Sequence, residues 1–327
     1  MNIYDIAKQA GVSIATVSRV LNGNGPVSPA TRKKVEQILE KNNYKPSAIA
    51  RGMVSKSMRT VAVLTVDIRV PHYAQTAHAM EQEFGRRGYE VILCNTFGNE
   101  ATALQYLKAV IEKQVDGIIL VGSVFNEIGR GQEFETLLKQ VPVVLANGSL
   151  EIPNAHSVLV DDVKGVKLAV EHLVSQGRRQ LIYVKDKDTA SAKAKADGFM
   201  SAVTGLRGVT GTVIYTEDTL ESAIRAAEEL TKSGKMMDGI VCGEDLIAVG
   251  IIKGLTRAGV HVPENVAVTG FNNSMYGKLC EPELTSVDNK PELVAMECVR
   301  LLEALINGEG NCEDITILPE LKKGRST

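Results

Sequence analysis

The 327-residue sequence lacks paired cysteines, long apolar runs and the usual phosphate-binding loops. Its five cysteines are an odd number with no C-x-x-C motif and no matching histidine spacing, so neither a disulfide framework nor a zinc site is indicated. No apolar run reaches the roughly 18 residues of a membrane span, and no apolar leader precedes the first polar residues. We therefore expect a cytoplasmic protein without membrane contact.

Enzyme signatures are also missing from the sequence. Neither G-x-G-x-x-G after the first predicted strand nor G-x-x-x-x-G-K-[ST] occurs, so the common loops for dinucleotides and nucleoside triphosphates are absent. The histidines lie apart from any serine or cysteine nucleophile motif. His72 and His78 share one predicted helix, but a spacing of six does not place them on one face. We predict no catalytic residue, no metal ligand and no cofactor.

What the sequence does have is an uneven distribution of charge. Residues 1–60 contain ten lysines or arginines and three acidic residues, a net charge of +7, whereas the rest of the chain sums to −9. A basic segment on an acidic body is typical of a protein that binds a polyanion. Because the chain exceeds the ~100 to 200 residues of a usual domain, we expect two or three compact units.

Two short helices around a glycine are predicted in YDIAKQAGVSIATVSRVLNG, residues 4–23. Apolar residues at helical spacing precede Gly11 and resume after it, with Ser13 able to cap the second helix. A third helix follows in VSPATRKKVEQILEKNNY, where Ser28 is a suitable N-cap and residues 35–39 supply an apolar stripe. This pattern predicts a helix-turn-helix unit whose second helix presents small or polar residues to a DNA major groove. The alternative is an ordinary helical hairpin packed on the body.

The stretch from Tyr4 through VSPATRKKVEQILEKNNYKPSAIARGM resembles the head of the LacI/GalR family of bacterial transcription regulators, and the resemblance continues along the whole chain. It implies a repressor that binds a palindromic operator as a homodimer, associated with the nucleoid. The implied organisation is a DNA-binding domain at 1–45, a hinge helix and linker at 46–59, and a two-lobed effector-binding and dimerisation body at 60–327. Lobe 1 is expected at about 60–160 and 291–322, and lobe 2 at about 161–290.

In the family, the segment matching residues 46–55 is a hinge helix that orders only on the operator. By position, Met53 is the apolar wedge for the minor groove, where relatives more often have leucine. We expect Arg19, Ile14, Ala15 and Ser18 near base edges. The full set of expected DNA-binding residues is Tyr4, Ser13, Ile14, Ala15, Thr16, Ser18, Arg19, Asn22, Ser28, Thr31, Ser47, Ala50 and Met53.

From Thr60 onward, β-branched runs alternate with helix-length segments, which is typical of parallel strands buried on both faces of an α/β sheet. We predict strands in two series, and therefore two doubly wound lobes. The runs are TVAVLTVD, YEVILCNT, DGIILVGS, VPVVLANGS and HSVLVDD, then RQLIYVKD, GTVIYTE, DGIVCGE and VAVTGFNN. Ligands of such sheets bind beyond the carboxyl ends of the strands.

Polar residues, residues 185–189 among them, follow these strands, and each of them either caps a helix or faces the cleft. The resemblance favours ligand contact at Tyr73, Asn147, Lys195, Glu244 and Asn272. The expected effector-binding set is Tyr73, Ser123, Asn147, Asp161, Lys195, Glu244 and Asn272.

Two of these positions depart from the family pattern. Sugar- and purine-sensing relatives usually have arginine at the position of Lys195 and aspartate at the position of Asn272. We therefore expect the effector to be a phosphorylated or otherwise acidic metabolite rather than a neutral sugar. Catabolite control proteins of Gram-positive bacteria also have lysine at the matching place, which leaves regulation by a phosphorylated carrier protein as an alternative. A solute-binding receptor is a further alternative, disfavoured by the basic head.

Overall fold

The computed structural model describes residues 3–22, 25–42, 57–309 and 312–327. They belong to two compact units, one drawn from residues 1–60 and 114–116 and the other from residues 61–113 and 117–327. The helices described in the first unit, here called the head, are α1 Ile3–Ala10, α2 Ile14–Asn22 and α3 Pro29–Lys41.

The head has a small apolar core. Gly11, between α1 and α2, has a φ of +65°, a conformation that glycine adopts without strain. Both predicted caps are confirmed, because the hydroxyl oxygens of Ser13 and Ser28 accept hydrogen bonds from the amides of Thr16 and Thr31, each at 3.2 Å. The buried apolar residues of the head are Ile6, Ala7, Ala10, Val17, Val20 and Val35.

The second unit, here called the body, alternates strands and helices. Its strands are β1 Thr60–Thr65, β2 Glu90–Asn95, β3 Gly117–Val121, β4 Val143–Ala146, β5 Ala155–Val160, β6 Gln180–Lys185, β7 Thr210–Tyr215, β8 Gly239–Cys242, β9 Ala267–Phe271, β10 Thr285–Asp288, β11 Ile315–Ile317 and β12 Glu320–Lys322. Its helices are α4 Pro71–Arg86, α5 Glu100–Glu112, α6 Phe125–Ile128, α7 Gln132–Leu138, α8 Asp162–Ser175, α9 Ala190–Thr204, α10 Leu220–Lys232, α11 Asp245–Arg257, α12 Met275–Leu279 and α13 Pro291–Ile306.

Two six-stranded sheets define the two lobes of the body. Lobe 1 has the strand order β11-β5-β4-β3-β1-β2, and lobe 2 has the order β12-β10-β9-β8-β6-β7. The central pairs are parallel, with Val63 opposite Ile119 in lobe 1 and Tyr183 opposite Val241 in lobe 2. Strands β3, β4, β8 and β9 are buried along their whole length. The predicted α/β architecture of parallel sheets, with strands covered on both faces, is thereby confirmed.

The chain passes between the sheets after β5, after β10 and between β11 and β12. The end of lobe 1 was expected at residue 322, and that boundary is wrong. Residues 320–322 form β12, which pairs antiparallel with β10 in lobe 2 and sets Leu321 opposite Val287. A three-residue strand of alternating charged and apolar residues lacks the β-branched run that marks the buried strands, so the sequence pattern did not reveal it.

Helices cover the sheets and complete the apolar cores. In lobe 1, α13 returns to the first sheet and buries Val294, Cys298 and Leu302 there. In lobe 2, one face of the sheet packs against α10 and α11 and the other against α8 and α9. Within the described ranges, no helix is long and apolar enough to cross a membrane.

Candidate DNA-binding face and ligand cleft

One face of α2 is exposed in the head. Ile14 is 40% exposed, Ala15 and Arg19 are exposed, and Thr16 and Ser18 are half-buried. Tyr4 on α1 is 67% exposed and Ser28 is exposed, while Thr31 is half-buried. The face therefore offers short side chains and one guanidinium at its surface, which allows close approach of a helix to base edges.

Exposed lysines lie on the other two helices of the head. Lys8 lies on α1 and Lys33, Lys34 and Lys41 lie on α3, all of them exposed. Such charges attract phosphates without reading sequence. Asn22 is the last residue of α2. The expected hinge contacts Ser47, Ala50 and Met53 lie outside the described residues.

Within the body, polar side chains at the carboxyl ends of both sheets line one cleft between the lobes. Six of the seven expected effector residues line it, namely Tyr73, Ser123, Asn147, Lys195, Glu244 and Asn272. Tyr73 lies in the first turn of α4, where Gly122 gives it room: a Cβ atom at position 122 would lie 3.3 Å from the Tyr73 hydroxyl. The free space of the cleft is only about 60 Å³, room for a few water molecules.

The seventh residue, Asp161, does not line the cleft. Its carboxylate caps α8 by accepting a hydrogen bond from the amide of Lys164 at 2.8 Å. The next residue, Asp162, faces the cleft instead and accepts a hydrogen bond from the Ser191 hydroxyl at 2.5 Å. The expectation for Asp161 is therefore corrected, because α8 begins one residue later than the chosen acidic residue.

Glu244 lies at the centre of the polar network. It occupies the N-cap position of α11, but its side chain makes no capping hydrogen bond. Its carboxylate instead accepts a hydrogen bond from the side-chain amide of Asn272 and lies 3.4 Å from Lys187 Nζ. Burial alone would raise the pKa of Glu244, but the positive charges of Lys187 and Lys195 lower it to about 2. Glu244 is therefore a buried carboxylate held ionised by lysines.

Lys187 is surrounded by carboxylates. Its Nζ atom lies 3.1 Å from Asp218 Oδ2, 3.4 Å from Glu244 Oε1 and 3.5 Å from Asp186 Oδ2. Burial opposes the charge of Lys187, yet these acids raise its pKa well above the ordinary value. In contrast, burial and Glu244 raise the pKa of Asp186 to about 6. One ammonium group thus serves several buried or partly buried carboxylates.

The Lys195 ammonium already has partners within the protein. It donates a hydrogen bond to the Gly243 carbonyl oxygen at 3.1 Å and lies 3.7 Å from the centre of the Phe271 ring. It also lies 4.0 Å from Asp162 Oδ1. The argument for an acidic ligand assumed that the replacement of aspartate by Asn272 leaves the cleft short of negative charge, but Glu244 supplies a carboxylate beside Asn272.

Contacts across the cleft join the lobes. The backbone amide of Ser191 in lobe 2 donates a hydrogen bond to the Ser123 hydroxyl of lobe 1 at 3.4 Å. The side-chain Nδ2 of Asn272 lies 3.4 Å from His72 Nδ1. Burial lowers the pKa of His72 to about 4, so its ring is neutral near neutral pH. Asn147 is used within lobe 1, where its Oδ1 accepts a hydrogen bond from the Val160 amide at 3.1 Å. In the described residues, no group of three potential metal ligands is close enough to hold an ion.

The sequence can be compared with known proteins on this basis. Residues 2–47 match the profile of bacterial regulatory proteins of the lacI family, and residues 170–327 match that of a periplasmic binding protein-like domain. Over 331 residues the chain is 34% identical to an HTH-type transcriptional regulator of Lachnoclostridium phytofermentans, with 100% of this chain and 99% of that protein covered. The chain belongs to the lacI family of bacterial regulatory proteins.

A further relative and two solved structures are also similar to the chain. The chain is 35% identical to catabolite control protein A of Priestia megaterium over 98% of this chain and 96% of that protein. It resembles the Lac repressor dimer bound to operator and the anti-inducer ONPF, with a TM-score of 0.85 at 22% identity over 100% of this chain and 99% of that one. It also resembles the transcriptional regulator CelR in complex with cellobiose, with a TM-score of 0.73 at 26% identity and full coverage of both chains. The predicted family, fold and role as a DNA-binding transcriptional regulator are confirmed.

Several cleft residues of this lacI-family regulator were missed from the sequence. Asp186 and Lys187 fall within residues 185–189, which were proposed to cap a helix or face the cleft but were not included in the expected effector-binding set. His72 precedes the expected Tyr73 in the first turn of α4. Asn289 follows β10, a strand that no run of β-branched residues predicted. Knowledge of β10 would have been needed to place Asn289.

Proposed function

We propose that this regulator binds a palindromic operator as a homodimer, with α2 in the major groove. The observation that carries the proposal is the exposed face of α2, where Ile14, Ala15 and Arg19 project from a head of net positive charge. Arg19 grips a base edge with two hydrogen bonds, and Ser18 lies close to the bases. Tyr4, Asn22, Ser28 and Thr31 position the phosphates. Since its ligand is chromosomal DNA, we propose a cytoplasmic, nucleoid-associated location.

The segment between head and body completes the operator contact in this proposal. We propose that residues 46–55, which lie outside the described residues, contact the operator and that Met53 acts as an apolar wedge between base steps of the minor groove. Such a wedge unstacks the bases at a cost of a few kcal/mol and gains contact area from the bend.

We propose that a small-molecule effector binds in the cleft and regulates operator binding. The supporting observation is that polar side chains of both lobes meet there, so that a bound molecule bridges lobe 1 at Tyr73 and lobe 2 at Glu244. A ligand shifts an equilibrium between lobe arrangements only through its different affinity for each of them. The similarity to CelR with bound cellobiose favours an effector of sugar-like size and polarity, for which the lobes have to move apart, because the free space between them is only about 60 Å³.

A second candidate for the regulating partner is a phosphorylated carrier protein. The observation that favours it is the identity of 35% with catabolite control protein A of Priestia megaterium over nearly the whole chain. In this alternative, the partner binds the surface of lobe 1 and the cleft serves a minor role. The two candidates can be distinguished because substitutions inside the cleft should weaken the binding of a small molecule but not the binding of a carrier protein.

Selection of binding sites from random duplex DNA tests the operator proposal. The full-length protein is expected to enrich a palindrome whose half-sites lie about one helical turn apart, with two chains bound per duplex. Enrichment of an asymmetric site, or binding without enrichment, would contradict the proposal. Native mass spectrometry of the complex gives the stoichiometry.

A thermal-shift screen tests the effector proposal. The panel contains sugars, sugar phosphates, nucleosides and a phosphorylated carrier protein, and a ligand at a hundred times its dissociation constant adds about 2.7 kcal/mol to stability. A hit in the cleft is expected to lose its effect in Tyr73→Ala. A stabilising effect of the carrier protein alone, unchanged in Tyr73→Ala, would favour the second candidate.

A further inference from the structure

The charges that line the cleft do not balance. Three carboxylates, on Asp162, Asp186 and Glu244, face two ammonium groups, on Lys187 and Lys195. Asp218 adds a further carboxylate at the outer side of Lys187. An anionic ligand would have to join an environment that already holds excess negative charge, which is unfavourable where water is scarce.

Hydrogen bonding is also incomplete: among the described residues that line the cleft, two buried acceptor atoms have no donor. Asn289, 7% exposed, donates its amide to Asn272 Oδ1 at 2.8 Å, yet its own Oδ1 has no hydrogen-bond partner within the described residues. Asp186, 4% exposed, likewise has no hydrogen-bond donor at Oδ2, where its nearest charge is Lys187 at 3.5 Å. Buried acceptors without donors are rare and costly, so a bound group that brings donors would satisfy them.

The position of Lys187 shows how a cation is accommodated. Its side chain comes from the loop between β6 and α9, is 25% exposed, and reaches in among Asp186, Asp218 and Glu244. Asp218 is 40% exposed, so Lys187 can remain paired with it while turning toward solvent. This movement would leave Asp186 and Glu244 facing the cleft without their cation.

We propose that the effector carries a protonated amino group beside its hydroxyl groups, as in an amino sugar, and that this ammonium takes the place of Lys187 at Asp186 and Glu244. The proposal rests on the proposed effector site and names the class of ligand that it takes. The exchange of one ammonium for another conserves the charge of the cleft. An ammonium group at this position also brings the donor that Oδ2 of Asp186 lacks.

Matched ligands on the full-length protein test the proposal. D-Glucose, D-galactose and D-mannose are each compared with their 2-amino derivatives, and D-glucose also with its 6-amino and 6-phosphate derivatives, by thermal shift and calorimetry at millimolar concentration near neutral pH. At least one amino sugar is expected to bind about ten-fold tighter than its neutral parent, because hydrogen bonds to charged groups are the stronger class. Neutral parents that bind as well as all their amino derivatives, or preferred binding of the phosphate, would overturn the proposal.

Two substitutions give a charge-specific readout. Asp186→Asn is expected to weaken the amino sugar about ten-fold or more while leaving its neutral parent nearly unchanged. Lys187→Met removes the internal competitor and is expected to tighten amino-sugar binding. Asp188→Asn is the matched control, because Asp188 lies on the same loop, is 70% exposed and pairs with Lys185 outside the cleft. Equal losses for charged and neutral ligands in Asp186→Asn would contradict the assigned role.

The outcomes separate this proposal from the effector proposal on which it rests. If a neutral or phosphorylated sugar binds and Tyr73→Ala abolishes its binding, the cleft is an effector site and the ammonium proposal alone fails. If none of the sugars or their derivatives shifts the unfolding temperature of the unmodified protein, the ammonium proposal is rejected. If the carrier protein does shift it, the effector proposal is rejected as well.

Discussion

The head and the cleft carry out their functions in different ways. In the head, neighbouring residues on one helix face form the proposed DNA-binding surface, and the core that holds this face is a handful of apolar side chains. In the cleft, the lining residues come from the ends of strands far apart in the chain, such as Asp186, Glu244 and Asn289. A local sequence pattern is therefore sufficient to predict a candidate recognition helix, whereas a ligand site depends on the long-range pairing of strands and charges.

The largest expected effect comes from the size of the head core. Ile6 is fully buried, and Ile6→Ala should cost about 2–5 kcal/mol. A domain this small has about 3–5 kcal/mol of stability from its core, so the head is expected to unfold. Operator binding should be lost, as measured by fluorescence anisotropy, while the unfolding transition of the body persists in calorimetry.

The matched control for that experiment is Ile251→Ala. Ile251 is also fully buried, but it belongs to the much larger core of lobe 2. This variant should lower the unfolding temperature of the body and keep operator binding at low temperature. If Ile6→Ala kept full operator affinity, the small core would not be what holds the recognition helix.

The next effect concerns the charged network of the cleft. Glu244→Gln removes a carboxylate that pairs with Lys187 and accepts a hydrogen bond from Asn272, and we expect a loss of about 1–3 kcal/mol in the free energy of unfolding of the body, because interactions with a charged group are lost while Lys187 keeps Asp186 and Asp218 as partners. Glu281→Gln is the control, since the Arg325–Glu281 pair is exposed and should contribute less than about 1 kcal/mol. Similar small losses in both variants, measured by urea unfolding, would show that the network is not stabilising.

The adjacent residue Asp245 should give the body a pH dependence of the opposite sign to that of Glu244. Burial raises the pKa of Asp245 from 3.8 to about 7, so the folded protein binds a proton that the unfolded chain releases. Its stabilising contribution is complete below pH 3.8 and is lost as the pH rises toward about 7, whereas that of Glu244 is present above pH 4.5 and is lost as the pH falls toward about 2.

Thermal unfolding from mildly acidic to mildly basic pH measures this difference. The free energy of unfolding of the unmodified protein should fall by about 1–3 kcal/mol relative to that of Asp245→Asn as the pH rises from mildly acidic to mildly basic. Asp245 accepts hydrogen bonds from the Ser286 hydroxyl at 2.6 Å and from the Ser274 amide, so the variant is compared by the slope of its pH profile rather than by its absolute stability. Parallel profiles for the two proteins would contradict the assignment.

The smallest effects are expected at helix caps, one in each region. Ser28→Ala in the head and Asp161→Ala in the body each remove one capping hydrogen bond, which should cost about 1 kcal/mol. Asp161→Ala should leave the affinity of a cleft ligand unchanged, whereas Asp162→Asn should reduce it. Equal effects of these two variants in calorimetry would restore the original expectation that Asp161 contacts the ligand.

The sequence was sufficient for the head because its signals are local. Gly11, Ser13 and Ser28 mark helix ends within a few residues of the elements that they terminate. In the body, every run of β-branched residues proposed as a strand appears as one in the structure, because burial on both faces leaves a continuous apolar pattern. Strands β10, β11 and β12 were not predicted, since each has only three or four residues.

The cleft could be predicted only in part. Strand ends located Tyr73, Glu244 and Asn272, because parallel strands of one sheet end at the same edge. The choice between Asp161 and Asp162 depended on the residue at which α8 begins, which a sequence pattern leaves uncertain by a residue or two. The charge balance was out of reach, because the partners of Lys187 are 31 to 57 residues distant or directly adjacent, and only the folded sheet brings them together.

The most direct test of the account compares the affinity for the selected operator with that for random duplex at one salt concentration. Arg19→Ala should weaken operator binding by about 1–3 kcal/mol and blur the preference for sequence, because it removes a side chain that reads a base edge. Lys41→Ala, which removes one exposed positive charge from α3 of the same head, should weaken both complexes alike. If Arg19→Ala leaves the ratio of the two affinities unchanged, α2 is not the helix that reads the operator.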